Sequence, residues 1–167
     1  MDDIILSRTS VREYEDTPVE EEKVQRLLQA AMSAPSARNQ QPWEFAVITD
    51  LQLRHALGNV TPYTRPALSA PLLIVPLSRT EGLTAPDFWQ QDMAAATENL
   101  LVEAVALGLG TVWMGVAPNE DRMKAVAEII GLPEGIRPFC IIAVGYPKGP
   151  VTPKDKFQQS RIHYNGY

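Results

Sequence analysis

Two arginines and three hydroxyls fall within six residues near the start of the chain, in Ser7-Arg8-Thr9-Ser10-Val11-Arg12. Guanidinium forks and hydroxyl donors match the geometry of a phosphate, so this run could clamp an oxyanion. The same composition also suits a solvated, charged segment. Two lysines, Lys154 and Lys156, stand in a Lys-Asp-Lys run near the other end. A second stretch, Ala34–Trp43, carries Ser36, Arg38, Asn39, Gln40 and Gln41 between Pro35 and Pro42. The prolines fix two φ angles and bias Ala34 and Gln41 toward extended backbone. A stiff loop with five hydrogen-bonding side chains can present donors and acceptors to something planar and amide-like. An ordinary helix-to-strand connection would use the same residues, and the segment alone leaves both readings open.

A third stretch, Gly108-Leu109-Gly110-Thr111-Val112-Trp113-Met114-Gly115, superficially resembles a dinucleotide fingerprint. That motif must follow a strand and open a helix, whereas these glycines close a helix and precede a strand. What remains is a glycine beside an aromatic residue, so Gly115 could bring its N–H against a ligand ring. The loop Thr61–Pro71 offers Tyr63 and Arg65 as its only distinctive chemistry. His55 lies in a surface-like helix and His163 in the tail, and neither suggests a Ser-His-Asp set. Cys140 is the single cysteine, which excludes an internal disulfide and a multi-Cys metal site, and it reads as a small buried apolar residue.

These residues must be held by one domain spanning residues 1–167, a length sufficient to bury a sizeable core. The chain is 45% hydrophobic and 21% charged, with a formal charge of −5. An acidic balance argues against a nucleic-acid binder. No long uncharged apolar run predicts a membrane span, and Met-Asp-Asp-Ile-Ile-Leu does not read as a signal peptide, so a cytoplasmic protein is expected.

Thr17-Pro18-Val19-Glu20 predicts a helix start, with Thr17 as N-cap, proline next and Glu20 completing a capping box. Val24, Leu27, Leu28 and Ala31 then form one apolar stripe, and the helix ends near Ser33. Trp43–Thr49 predicts a strand and Asp50–Leu57 a short helix stopped by Gly58. Leu72–Leu77 is apolar enough for a buried strand, although Pro76 weakens it or moves it to an edge. Pro86–Leu107 is a long helix, apolar nearly all round, which a chain of this size covers more easily with a second subunit than with its own elements. A dimer is therefore expected. The polar positions on that helix include Asp92, Glu98 and Asn99, for which an active-site role and a structural one both stand. Asn119–Ile130 predicts another amphipathic helix, Phe139–Val144 a central strand, and Tyr146–Tyr167 an aperiodic arm that wraps a partner subunit.

Taken in order, these segments resemble the FMN-dependent nitroreductase family, especially its short members. The likeness rests on Arg-x-Ser-x-Arg, Ala-Pro-Ser-x-x-Asn-x-Gln-Pro-Trp, Asp-x-Ala-Ala-Ala-x-Glu-Asn-Leu-Leu, Gly-Leu-Gly-x-x-Trp-x-Gly and the tail Gly-Tyr-Pro…Lys-Asp-Lys-Phe…His-Tyr-Asn. The resemblance implies an α+β fold, a mixed sheet flanked by helices, in an intertwined homodimer with two FMN molecules at the subunit interface. By that likeness Arg8, Thr9, Ser10 and Arg12 belong to the FMN site, where Arg8, Ser10 and Arg12 hold the phosphate, ribityl and pyrimidine side. Lys154 and Lys156 reach back to the phosphate. Pro35, Ser36, Ala37 and Asn39 approach from the other subunit, and Met114 and Gly115 lie near N5. Three positions depart from the usual pattern: Thr9 replaces a second basic residue, Arg38 a glycine and Lys156 an arginine. Lysine offers a point charge rather than a fork. Arg38 then faces either the substrate side, with Tyr63 and Arg65, or solvent.

The likeness further implies that the chemistry belongs to the cofactor, with no side chain assigned as catalytic and no metal. NAD(P)H serves as a transient reductant and a nitroarene, quinone or similar electron-poor small molecule as acceptor, in ping-pong turnover through flavin N5. Reductive dehalogenation, flavin breakdown and a non-enzymatic flavin-binding redox sensor are the alternatives.

Overall fold

The computed structural model describes residues 3–167. Five strands and five helices make three layers. The helices are α1 (Ile4–Ser7), α2 (Glu21–Met32), α3 (Leu51–Gly58), α4 (Trp89–Ala106) and α5 (Glu120–Ile130). The strands are β1 (Trp43–Ile48), β2 (Leu72–Arg79), β3 (Gly110–Gly115), β4 (Ile136–Pro138) and β5 (Cys140–Gly145). The sheet runs β1-β2-β5-β3, with β4 paired to β2 beyond the end of β5. All these strand pairs are antiparallel. The sheet is therefore antiparallel rather than mixed, and the parallel bridge from Ser10 to Thr111 is an isolated one outside the named strands.

Strand side chains alternate between two cores, as a pleated strand requires. Leu72, Ile74, Cys140, Ile142 and Val144 face α2 and α4, meeting Leu27, Met93, Ala96 and Leu100. Leu73, Val75, Leu77, Val112, Met114, Ile141 and Ala143 face the other way, onto Leu57 of α3 and Val126 of α5. Each fully buried Leu or Ile in these layers contributes about 1.5–3 kcal/mol by leaving water. No helix among the described residues is long and apolar enough to cross a membrane.

Several expectations are corrected here. Helix α2 begins at Glu21, not at Thr17, and Glu20 makes no side-chain cap. The Glu20 carboxylate instead accepts from the Tyr146 hydroxyl at 2.8 Å, a tie across the chain that local capping chemistry does not foresee. Residues 62–68 are a 3-10 helix rather than an irregular loop, closed by a reciprocal capping box between Thr61 and Thr64. Strand β2 is interior despite Pro76. The Pro76 carbonyl accepts from Phe139 N–H at 2.9 Å, between the stretch paired to β5 and the stretch paired to β4. The missing proline N–H thus falls where the ladder changes partner. Gly58 is the last residue of α3 rather than its terminator, and α4 is preceded by a separate 3-10 turn, Pro86–Phe88.

The N-terminal segment lies against the outer edge of β3. Val11 N–H donates to the Thr111 carbonyl at 2.9 Å, and the buried Tyr14 hydroxyl donates to the Val11 carbonyl at 2.6 Å. Burial pushes the Tyr14 phenol well above its ordinary pKa, so it stays a neutral donor. Two cross-strand partners, Gly110 and Gly145, make this approach possible. A Cβ on Gly110 would meet the Val11 side chain at 2.8 Å, and one on Gly145 would meet Pro71 at 2.7 Å and the Tyr14 ring at 3.0 Å.

Candidate functional site

Because β3 is an edge strand, whatever lies beside it has access to backbone. The N-terminal segment covers that edge only as far as Thr111, and two cavities flank the rest. The first, of about 660 Å³, opens between Arg8–Glu13 and the start of the tail, Pro147–Lys156. Arg8, Arg12, Lys148, Lys154 and Lys156 line it with Thr9 and Ser10, against one lining carboxylate, Glu13. Segments far apart in the chain are brought together by two backbone bonds, Glu15 N–H to the Tyr146 carbonyl at 2.9 Å and Lys148 N–H to the Glu13 carbonyl at 3.1 Å.

Arg8 is the best shielded of these cations, its side chain only 18% exposed, and its Nε lies 3.4 Å from Glu98 Oε1 on α4. That pair occupies the flank of the guanidinium. Its two terminal nitrogens have no partner among the described residues and remain available to a fork-shaped contact. Glu98 therefore meets the site, whereas Asn99 does not: its Nδ2 donates to the Ala30 carbonyl on α2 at 3.2 Å and ties the two helices.

The second cavity, of about 550 Å³, meets the first at Arg12 and Glu13 and extends to Tyr63, Arg65, Trp113, Met114 and Gly115. Backbone groups alternate sides along a strand. Since Thr111 directs its carbonyl outward to Val11, Trp113 and Gly115 also direct theirs away from β5. The Gly115 carbonyl accepts from Arg122 Nη1 at 3.3 Å, and its N–H faces the open edge. A Cβ there would touch nothing within 4 Å, so glycine keeps the edge bare rather than relieving a clash. Met114 has its side chain buried in the core and can offer the cavity only backbone. Trp113 is braced edge-on by Phe139 at 5.4 Å, and Phe139 by Trp89 at 5.9 Å.

The Ala34–Trp43 loop lies elsewhere in the same chain. None of Pro35, Ser36, Ala37, Arg38 or Asn39 lines either cavity. Asp92, a buried carboxylate on α4, accepts from Ala37 N–H at 2.8 Å and from Gln40 Nε2 at 2.6 Å. Gln40 closes a second pair with Ala85, donating to its carbonyl and accepting from its N–H, both at 2.9 Å. Arg79 Nη2 donates to the Gln40 and Gln41 carbonyls, and Ser36 Oγ accepts from Gln41 N–H at 2.9 Å. Contrary to the bias that Pro42 imposes, Gln41 is left-handed at φ 45°, as are Arg38 at 51° and Asn39 at 54°. Three such residues in four positions store strain that this network holds in place. Arg38 Nη1 reaches the Thr84 carbonyl at 3.4 Å, so it is partly spent on the loop's own packing.

Of the residues singled out from sequence, the fold thus gathers Arg8, Thr9, Ser10, Arg12, Lys154 and Lys156 in one cleft, and Tyr63, Arg65, Met114 and Gly115 in the adjoining one. It keeps Pro35, Ser36, Ala37, Arg38 and Asn39 apart. Glu98 takes the active-site alternative left open for it, Trp113 is the aromatic residue beside Gly115, and Lys148 joins the site without a signal in the sequence. Lys148 follows Gly-Tyr-Pro and carries no spacing signal. His55 and His163 are exposed and outside both cavities, and burial raises the Cys140 thiol pKa, leaving it an inert core group.

Comparison with known proteins gives a consistent set of matches. The model of the Nitroreductase family matches residues 5–67 and 62–146. An Archaeoglobus fulgidus protein named "Putative NADH dehydrogenase/NAD(P)H nitroreductase" is 40% identical over 164 residues, covering 96% of this chain and 94% of its own length. The crystal structure of a "Putative NADH Oxidase" from Clostridium acetobutylicum superposes with a TM-score of 0.96 at 47% identity, covering 99% of this chain and 100% of that one. An FMN-dependent nitroreductase from Clostridium difficile R20291 superposes at 0.92 with 28% identity over 100% of both chains.

Proposed function

The chain belongs to the nitroreductase family, and on that premise we propose that it is a cytoplasmic FMN-dependent NAD(P)H oxidoreductase, working as a homodimer, that reduces nitroaromatics, quinones or similar electron-poor acceptors. The observation that carries this reading is the convergence of Arg8, Arg12, Lys154 and Lys156 on one cleft that continues to the bare strand edge at Gly115.

The donor set suits FMN at both ends. A phosphate dianion matches cations drawn from the two ends of an acidic chain, with Arg8 and Arg12 offering forks and the lysines point charges. Thr9 and Ser10 add hydroxyl or backbone donors beside them. At the other end the outward Gly115 N–H matches an acceptor nitrogen on the edge of a flat ring, with Met114 contributing backbone alone. When bound, the flavin would supply the redox chemistry, hydride transfer between NAD(P)H and the acceptor. Around it, Gly115 N–H orients the ring edge, Arg12 places positive charge where reduction adds negative charge, and Tyr63 and Arg65 flank the position of the reductant or acceptor.

The second subunit completes the site in this reading. The rigid Pro35–Asn39 loop, unable to reach its own cleft, serves the partner's cofactor. Helix α4 leaves Ala94, Ala95, Val102 and Val105 only half-buried, and the tail exposes Phe157 at 70% and Tyr164 at 78%. Apolar surface of that kind is covered by a second copy at little cost.

Purified protein is expected to be yellow, to run on gel filtration well above the 18.5 kDa chain mass, and to oxidise NADH or NADPH faster when a nitroarene or quinone is added. A colourless protein that cannot be loaded with FMN overturns the assignment. A yellow protein that no nicotinamide reduces leaves a flavin-binding sensor in its place.

A further inference from the structure

Arg65 is a cation that the fold leaves uncommitted. Its 3-10 helix is pinned from within: Thr64 and Ala67 are buried, and Thr64 Oγ1 lies 2.8 Å from the Thr61 carbonyl and 3.1 Å from that of Gly58. With those positions turned inward, Tyr63 and Arg65 turn outward, Tyr63 being 74% exposed. Neither side chain has a hydrogen bond or ion pair among the described residues, in contrast to Arg8, Arg26, Arg54, Arg79 and Arg122. Both line the cavity that ends at Trp113–Gly115. That wall carries Arg12 and Arg65 against Glu13 alone. Arg65 also lines a neighbouring depression of about 560 Å³ formed with Gly58–Pro62. The same guanidinium is therefore reached both from the ring cavity and from the surface beside it.

We propose that Arg65 is a specificity-determining residue, giving the ring site a preference for molecules that carry an anionic group. The inference rests on the oxidoreductase reading and names its substrate class. A planar molecule lying along the Gly115 edge turns a substituent toward Arg65, whose fork donates two parallel hydrogen bonds to a carboxylate or phosphate and none of that strength to a neutral amide. The neighbouring Tyr63 ring offers a flat surface for the same molecule. Two sources supply the anion: a carboxylate on the acceptor, or the phosphates of the nicotinamide dinucleotide.

The experiment compares wild-type holoprotein with Arg65→Gln and Arg65→Lys. The acceptor arm takes the ratio of kcat/KM for 4-nitrobenzoate over 4-nitrobenzamide, whose intrinsic difference in reducibility cancels when variant and wild type are compared. The reductant arm takes the same ratio for NADH over 1-methyl-1,4-dihydronicotinamide, which has no phosphate. A binding readout independent of turnover is the change in flavin absorbance on titration with benzoate. Arg65→Gln is expected to lower one of the two ratios about tenfold, through KM rather than kcat, with Arg65→Lys between it and wild type. A fall in the acceptor ratio, with weaker benzoate binding, identifies the acceptor carboxylate; a fall in the reductant ratio identifies the dinucleotide phosphates. Ratios that both stay within twofold in a yellow, active variant overturn the proposal. Failure of the underlying reading is a separate result, a wild-type protein that takes up no FMN.

Discussion

The cationic cleft and the Ala34–Trp43 loop are both rich in polar side chains, yet they use them in opposite ways. The loop turns its polar groups inward: Asp92, Gln40, Ser36 and Arg79 bond its backbone and hold three left-handed residues in place. The cleft leaves most of its charge uncommitted, with one flank of Arg8 engaged by Glu98. Loop polarity is thus spent on shape and cleft polarity kept for a ligand. Counting donors in a sequence cannot separate the two; the partners of each donor can.

The largest effect that tests this contrast is expected at Asp92. Asp92→Ala leaves Ala37 N–H and Gln40 Nε2 without their buried acceptor, and each orphaned group costs about 1–3 kcal/mol. A loss of about 3 kcal/mol is expected in urea unfolding of the apoprotein, with Asp92→Asn recovering part of it through its remaining carbonyl oxygen. A change below about 0.5 kcal/mol, the range of ordinary surface substitutions, would mean that the loop's shape does not depend on its internal bonds.

At the cleft the sign of the dependence is reversed. Replacing Arg8 and Arg12 together by alanine removes cations that the protein itself scarcely uses, so the unfolding midpoint is expected to move little. FMN affinity is expected to fall about thirty- to a hundredfold, the equivalent of about 2–3 kcal/mol for charge-assisted contacts. Quenching of flavin fluorescence on titration of the apoprotein reads this directly. Wild-type retention of FMN by the double variant would remove the cleft from the cofactor site. A large loss of stability would instead show that its charges are structural, as in the loop.

Legibility in the sequence followed the range of the interactions. The Val24, Leu27, Leu28, Ala31 stripe located α2, and short apolar runs located β1, β2, β3 and β5 but not the three-residue β4, because those signals lie within a few residues. The start of α2 was misplaced because Glu20 answers to Tyr146, the helix at 62–68 was hidden by its prolines, and Pro76 was misjudged because β2 exchanges β5 for β4 at that point. At the site, Arg8, Arg12, Lys154 and Lys156 were legible as cations of matching chemistry. Their meeting depends on the Gly110–Gly145 pair that lets the N-terminal segment lie flat, Lys148 enters only through that meeting, and the choice between Glu98 and Asn99 is made only by which of them faces Arg8.

The smallest effect is expected where the tail leaves the sheet. Lys23 Nζ donates to the Tyr146 hydroxyl at 2.6 Å, and that hydroxyl donates to the Glu20 carboxylate at 2.8 Å. Glu20's own backbone N–H and then the Tyr146 hydroxyl hold the carboxyl below its ordinary pKa, and Tyr146 followed by Glu20 holds the Lys23 ammonium above its own. The lowered carboxyl contributes stability that is present above its unfolded value and lost as pH falls through the folded one. The raised ammonium contributes stability that is present below its unfolded value and lost as pH rises through the folded one. Tyr146→Phe breaks both links. The difference in urea midpoint between wild type and variant is therefore expected to be small, flat through neutral pH, and to shrink at both the acid and the alkaline end. All three groups are half-buried or exposed, so salt should narrow the difference as well. A difference that grew toward acid would mean that Tyr146 stabilises the neutral carboxyl, and the tie between α2 and the base of the tail would then need another origin.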